Sequence, residues 1–126
     1  MTRIIGIAVF IVAAYLVYKL ASVKLKNGAA IENASWRMFW VAIIADGIFK
    51  KHGTEAIITS GSDGKHSARS KHYPENNASG QVEALDLRTW HVDPHAVAAD
   101  MREKLGANYD VVVESDHLHI EYDPKA

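Results

Sequence analysis

The chain of 126 residues contains no cysteine. A disulfide framework, a cysteine nucleophile and a thiolate metal site are therefore all excluded. Any metal site has to be built from histidine and carboxylate side chains, and the 7 histidines are many for a chain of this length. The 48% of hydrophobic and 23% of charged residues exclude a wholly disordered or fibrous chain. The length suits one domain of ordinary size.

The larger part of the sequence, residues 35–126, also lacks an excess of basic residues. Residues 35–126 hold 10 of the 14 Lys and Arg residues but 14 of the 15 Asp and Glu residues, a net charge of −4 with histidine neutral. Proteins bind a phosphate backbone mainly through basic side chains. The acidic balance therefore predicts that nucleic acid is not a partner. The sequence also has no internal repeat and no low-complexity tract.

One long apolar run is present, at residues 4–23, where Lys19 is the single charge. A helix of about 20 such residues is long enough to span the hydrocarbon core of a membrane. Tyr15 and Tyr18 near one end suit the interfacial belt of such a helix. The chain is thus expected to divide into a transmembrane anchor, a linker and a folded domain, at residues 1–23, 24–34 and 35–126.

Two other interpretations of the apolar run stay open. Arg3 would supply the basic start of a cleavable signal peptide, although the small residues at 28–30 follow three lysines, which is a poor context for cleavage. The run would also suit a buried helix of a soluble domain. For an anchor, the basic residues that follow the run favour a cytoplasmic domain.

The folded domain shows the patterns of two helices and four strands. Ser35 is expected to cap the first helix, with Gly53 just past its end. Asp93 and Pro94 mark the start of the second helix. Strands are predicted at residues 56–59, 81–88, 109–113 and 118–122, and a long loop at 60–80. This order predicts an α+β fold, a small antiparallel sheet with flanking helices.

Side chains that bind metals concentrate in the long loop, in the strand after it and at the start of the last strand: His66, His72, Asp86, Asp116, His117 and His119. Asp86 lies between two leucines, and burial of its ionised carboxylate is costly unless a cation or strong donors compensate it. A zinc ion held by two imidazoles and one carboxylate would do so and leave a fourth position for water. Asp116 and Glu114 are the candidates for a general base beside that water.

The order of these residues resembles that of a known family of zinc peptidases, the D-Ala-D-Ala carboxypeptidases, which share a fold with the hedgehog signalling domain. Three motifs carry the resemblance: Ser70-Lys71-His72, then Gly80 with Ala84-Leu85-Asp86, then Asp116-His117-Leu118-His119. The resemblance covers residues 38–124 and is closest to the small phage and prophage members. It implies hydrolysis of an amide bond in peptidoglycan stem peptides, of the D-Ala-D-Ala or the L-Ala-D-Glu type.

Carried over residue by residue, the resemblance assigns the ligands of one zinc ion to His72, Asp86 and His119. Asp116 takes the place of the acid/base that activates water together with zinc. His117 would lie beside the metal and help to polarise the scissile carbonyl, and Arg69 is the candidate for the arginine that stabilises the oxyanion. In a regular strand Asp116 would face away from His119, so its assignment requires position 116 to lie in the turn.

The sequence departs from the family pattern in the spacing of two ligands. Thirteen residues separate His72 from Asp86, more than in the family. The additional residues, around 74–79, predict an inserted loop tip, and such insertions cost little entropy. The longer spacing leaves His66 as an alternative ligand. The other histidines, at positions 52, 91 and 95, are expected to be solvated surface residues.

The expected function is therefore that of a membrane-anchored zinc metallopeptidase, phage- or prophage-encoded, with peptidoglycan stem peptides as its substrate. This substrate favours the cell-wall side for the folded domain, whereas the basic residues after the apolar run favour the cytoplasm, so the orientation of the anchor stays open. An alternative of a different class is a membrane-tethered, zinc-stabilised module without catalysis, which binds or builds part of a virion or cell envelope. The hedgehog domain illustrates that the fold alone does not establish catalysis. A holin-like membrane permeabiliser is a third alternative, which a folded domain with a metal site disfavours.

Overall fold

The computed structural model describes residues 11–12 and 23–125. Within residues 23–125, five strands form one sheet: β1 (Lys24–Leu25), β2 (Ile57–Ser60), β3 (Ala84–Arg88), β4 (Tyr109–Val113) and β5 (His117–Tyr122). Two helices accompany them, α1 (Trp36–Lys51) and α2 (Pro94–Leu105). The strands follow the order β1-β2-β3-β5-β4. The predicted α+β class is confirmed, but the sheet is mixed, since β1 runs parallel to β2.

Helix α1 begins directly after Ser35, as predicted, but the Ser35 hydroxyl does not cap it. The hydroxyl donates a hydrogen bond to the buried carboxylate of Glu83 instead. Arg37, two residues further along the chain, pairs with the same carboxylate at 2.5 Å. The helix ends before Gly53, whose φ of +87° favours glycine. The start of α1 is thus tied to the residue that precedes β3.

Helix α2 begins as the sequence predicts. The Asp93 carboxylate accepts hydrogen bonds from two backbone N–H groups of the first turn, at 3.0 and 3.4 Å, and Pro94 occupies the first helical position. The two helices also meet through a polar pair that was not predicted. His52 Nε2 lies 2.7 Å from the Asp100 carboxylate, so His52 joins α1 to α2 and is not simply solvated.

Alternation along β3 and β5 gives the sheet two unlike faces. One face contributes four leucine and isoleucine side chains to the hydrophobic core: Leu85, Leu87, Leu118 and Ile120. The register of the two strands places Asp86 opposite His119 and Arg88 opposite His117 on the other face. We call this second face the site face. The core therefore holds the two strands in the register that brings the polar residues together.

The segment predicted as a linker belongs to the sheet at its start. Lys24 and Leu25 pair with Ile57 and Ile58, and the Ala30 N–H donates to the Asp63 carboxylate at 2.7 Å. The predicted anchor lies outside the described residues, apart from positions 11, 12 and 23. Among the described residues no helix has the length and apolar character to cross a membrane.

Candidate metal centre

Three donor atoms from three separate parts of the chain meet on the site face. His72 Nε2 lies 3.1 Å from Asp86 Oδ1 and 3.1 Å from His119 Nδ1, and His119 Nδ1 lies 3.2 Å from Asp86 Oδ1. We call these three residues the His–Asp–His cluster. They are the residues to which the family resemblance gives the ligand role. A loop supplies the first, β3 the second and β5 the third.

The loop fixes the orientation of His72 from behind. His72 is 1% exposed, and its Nδ1–H donates a hydrogen bond of 2.6 Å to the Gly61 carbonyl. Because a carbonyl oxygen only accepts, this bond keeps a proton on Nδ1, so that in the neutral imidazole the lone pair lies on Nε2. The nitrogen that faces the cluster is therefore the one free to bind a metal.

The additional residues between His72 and Asp86 form a loop tip whose two ends are hydrogen-bonded to each other. Residues Pro74–Asn76 form a short 3₁₀ helix, and the Asn77 side-chain amide donates to the carbonyls of Lys71 and Gln81 at 2.8 and 2.7 Å. These two bonds hold the ends of the insertion together. The longer spacing between His72 and the β3 carboxylate is thus absorbed outside the site, and the two side chains still meet.

Glu121 completes the environment of His119 on the opposite side. The Nε2–H of His119 donates to the Glu121 carboxylate at 2.9 Å, and Nδ1 faces Asp86. In the neutral imidazole the lone pair therefore lies on Nδ1, whereas the charged imidazole donates to both carboxylates. Burial opposes the charged form of His119, but the hydrogen bonds to Asp86 and Glu121 outweigh burial and raise the pKa of the imidazole. Burial likewise opposes ionisation of Asp86, and the hydrogen bonds from His119 and His72 outweigh it and hold the pKa of that carboxyl well below its usual range.

His66 is an alternative third ligand, together with His72 and Asp86. One ring nitrogen of His66 lies within 4.8 Å of ligand atoms of His72 and Asp86, and its ring stacks on the His72 ring at 3.8 Å. However, His66 Nε2 is already within hydrogen-bond distance of the Asp63 carbonyl (2.8 Å) and the Ser60 hydroxyl (3.1 Å). The donor atoms of the His–Asp–His cluster all lie within 3.2 Å of one another, and the hydrogen bond of His119 to Glu121 leaves its Nδ1 available, so we favour His119 as the third ligand.

The cluster fits a tetrahedral metal ion by its donors and by their spacing. Two imidazoles and one carboxylate are a common ligand set for zinc, and at bond lengths of 2.0–2.1 Å tetrahedral ligand atoms lie about 3.3 Å apart. The separations of 3.1–3.2 Å in the cluster are close to that value. Both imidazoles also donate their outer N–H to a carbonyl or carboxylate, as metal-binding histidines usually do.

His117 and Asp116 lie beside the cluster as a pair. Asp116 is in the turn directly before β5, the position its predicted role requires. Its carboxylate accepts a hydrogen bond of 2.7 Å from His117 Nδ1, and the Asp116 side chain is 70% exposed. His117 Nε2 lies 3.7 Å from Asp86 Oδ1. Asp116 therefore reaches the cluster only through His117.

The hydrogen bond from His117 is the main reason why the pKa of Asp116 is lowered. A carboxylate with a lowered pKa is a weaker proton acceptor. The same hydrogen bond orients the imidazole of His117.

The cluster lies at the bottom of a pocket of about 500 Å³. Arg69 and Lys71 line it from the loop, and Glu114 lines it from the end of β4. Arg69 is exposed, as a residue that meets a substrate from solvent would be. The pocket lining thus combines basic groups of the loop with acidic groups of the strand side, where Glu121 and Asp86 join Glu114.

Two groups that complete the centre were not predicted from the sequence. Glu121 carried a usable signal, because residues 117, 119 and 121 alternate along one strand and share a face. The Gly61 carbonyl carried none, since its approach to His72 depends on the path of the loop. The surface positions expected for His91 and His95 are confirmed, as both are exposed.

A scan against protein-family models finds no match for this chain, and searches of the curated proteins and of the solved structures find none either.

Proposed function

We propose that this chain is a zinc metallopeptidase that hydrolyses amide bonds in peptidoglycan stem peptides, as a DD-carboxypeptidase or as an L-Ala-D-Glu-type endopeptidase. The meeting of His72 Nε2, Asp86 Oδ1 and His119 Nδ1 within 3.2 Å carries the proposal. The motif order supports it, because the residues that resemble the family's ligands are the residues whose donor atoms meet. The apolar run at residues 4–23 would then anchor the enzyme at the membrane that borders its substrate.

Zinc bound by the cluster would supply a Lewis acid for the scissile carbonyl and lower the pKa of a water molecule to about 7. The proton transfers fall to the side chains beside the cluster. His117 donates from Nδ1 to Asp116, which leaves a lone pair on Nε2, the nitrogen that faces the cluster. His117 is therefore placed to accept a proton from the attacking water and to return it to the leaving amine. Asp116 holds that imidazole and stabilises its charged form.

The pocket supports a peptide substrate by its size and charge. A volume of about 500 Å³ lies in the range of small-molecule sites and accommodates a short peptide segment. Arg69 on the loop wall provides a positive charge for the developing oxyanion. Glu114 on the opposite wall is the second candidate for the general base, because it lines the pocket directly.

The test is digestion of purified peptidoglycan by the purified full chain, with and without zinc, and identification of the products by mass. Released alanine would identify a carboxypeptidase, and released stem peptides an endopeptidase. His119→Ala is the control and should release nothing. A folded full chain that binds zinc tightly but releases no product would overturn the proposal and favour the zinc-stabilised binding module.

Two variants in the same assay separate the candidate bases. We expect Asp116→Asn to lower kcat by about 10²- to 10⁴-fold, because a neutral amide no longer stabilises the charged imidazole of His117. Zinc affinity should stay unchanged, since Asp116 does not touch the cluster. Glu114→Gln should leave kcat nearly unchanged. The reverse pattern, a loss in Glu114→Gln alone, would identify Glu114 as the base.

A further inference from the structure

A charged side chain extends the site face beyond the cluster. Residues two apart in a strand share a face and lie about 6.6 Å apart. Arg88 therefore follows Asp86 on the site face, and in the register it lies opposite His117. Since His117 Nε2 faces Asp86 at 3.7 Å, Arg88 neighbours the cluster on the His117 side.

Among the described residues, the Arg88 guanidinium has an aromatic partner but no carboxylate partner. Its Cζ atom lies 3.8 Å from the ring centroid of Trp90, which is 63% exposed. Its Nε is buried and has no hydrogen-bond partner. Within the described part of the chain, Arg37 is the one arginine that forms a salt bridge. A partly buried cation without a counter-charge is unfavourable until an anion binds.

Trp90 orients the guanidinium without neutralising it. Stacking of a guanidinium on an aromatic face leaves the N–H groups at its edge free to donate. These N–H groups form a planar fork that matches the two oxygens of a carboxylate. The ring of Trp90 thus supports a guanidinium whose N–H groups can bind a ligand. This role would account for a large aromatic side chain that is exposed to water.

We propose that Arg88, supported by Trp90, binds a carboxylate of the substrate peptide; this inference rests on the proposed function. An extended peptide spans about 3.3–3.6 Å per residue. A carboxylate one or two residues from the scissile carbonyl would thus lie about 3–7 Å beyond the cluster, comparable to the spacing of Asp86 and Arg88 along β3. Arg88 and Trp90 do not line the pocket itself, so this carboxylate would be bound beside it. Stem peptides offer such carboxylates on D-Glu and on the terminal D-Ala. Arg88 would thus select stem peptides with free carboxylates over amidated ones.

The experiment compares two probes, the pentapeptide L-Ala-γ-D-Glu-L-Lys-D-Ala-D-Ala and the same peptide with its free carboxylates amidated. Binding to the zinc-loaded full chain is measured by calorimetry in the Asp116→Asn background, so that the peptide stays intact. We expect the free acid to bind about 10- to 100-fold more tightly than the amidated peptide, as one charged hydrogen-bonded pair provides. Arg88→Gln should abolish this preference, and Arg88→Lys should retain part of it.

Controls separate recognition from damage to the neighbouring ligand Asp86. Zinc affinity and the midpoint of urea unfolding should stay unchanged in Arg88→Gln. If Arg88→Gln does not fold, the reduced preference expected of Arg88→Lys provides the test. Arg69→Gln is the matched control on the loop wall and should weaken both peptides equally. The inference fails if neither peptide binds, if Arg88→Gln weakens both peptides equally, or if Arg69→Gln abolishes the preference.

The outcome for Arg88 is distinguishable from that for the proposed function. If the chain cleaves stem peptides but Arg88→Gln keeps the preference for the free acid, the inference alone is overturned. If the chain cleaves nothing but Arg88→Gln abolishes the preference in binding, the carboxylate site stands and the enzymatic proposal falls.

Discussion

The chemistry of the centre depends on which nitrogen each imidazole presents. His72 turns Nε2 toward the cluster because its Nδ1–H is held by the Gly61 carbonyl. His119 turns Nδ1 toward the same point because its Nε2–H is held by Glu121. Two histidines in unlike backbone settings thus offer one lone pair each to one position. The oxygen of Asp86 supplies the negative charge there.

Replacement of single histidines tests which three residues bind zinc. We expect His119→Ala to weaken zinc binding by more than about 100-fold, because the loss of a ligand exceeds the 10- to 100-fold effect usual for an outer partner. His66→Ala should cost less than about 10-fold, since His66 mainly stacks on His72. The affinities are measured by competition with a chromophoric chelator. Equal losses in the two variants would show that His66 is a ligand.

At the scale of elements, a buried ion pair anchors the first helix beside the site. Arg37 Nη2 lies 2.5 Å from the Glu83 carboxylate, and the two side chains are 20% and 5% exposed. The Arg37 guanidinium also lies 4.4 Å from the ring centroid of Tyr122 at the end of β5. The Tyr122 N–H in turn donates to the Glu83 carbonyl at 2.9 Å. These contacts join α1, the approach to β3 and the end of β5.

We therefore expect Arg37→Ala to lower the free energy of unfolding by about 3–5 kcal/mol, because it leaves the Glu83 carboxylate buried without its partner. Urea denaturation of the full chain measures this change. Lys24→Ala, which breaks the exposed pair with Glu55, is the control and should cost at most about 1 kcal/mol. A loss of similar size in both variants would show that the Arg37–Glu83 pair is no more than a surface contact.

For the whole molecule, proton and metal compete for the same position. The pKa of His119 is raised above its ordinary 6.5 and that of Asp86 is lowered below its ordinary 3.8. The stabilisation from charged His119 is complete below pH 6.5 and is lost as the pH rises through the raised pKa. The stabilisation from Asp86 is present above pH 3.8 and is lost at lower pH. The metal-free protein is thus stabilised by this pair in mildly acidic solution.

Zinc should show the opposite trend with pH. Zinc binds the neutral imidazole, so its affinity falls as the pH falls through the pKa of His119. We expect saturating zinc to raise the melting temperature more at pH 7.5 than at pH 5.5, and zinc binding near neutral pH to release protons. Calorimetry in buffers of different ionisation enthalpy measures the proton release. A zinc-induced shift that is larger at the lower pH would contradict the assigned ligands.

Local patterns of the sequence predicted most of the elements and the ligand candidates. Asp93 and Pro94 mark the start of α2 because capping and proline geometry act within one turn. Because side chains alternate along a strand, Leu85 and Leu87 share one face of β3 and Asp86 lies on the opposite face. The prediction that the Ser35 side chain caps the first helix was wrong, because its hydroxyl bonds to Glu83, 48 residues away. A local rule contains no information on so distant a partner.

The sequence by itself determined the class of fold, the approximate bounds of the helices and central strands, and the residue types that a metal site requires. Only the tertiary structure decided that β1 joins the sheet, which nitrogen each histidine presents and that the Asp116 carboxylate bonds to His117. It also decided that Arg88 shares the site face and pairs with no carboxylate among the described residues. The physical reason is the range of the interactions. Periodicity, caps and turns act over a few residues, whereas register, burial and lone-pair direction depend on groups that meet only when the chain has folded.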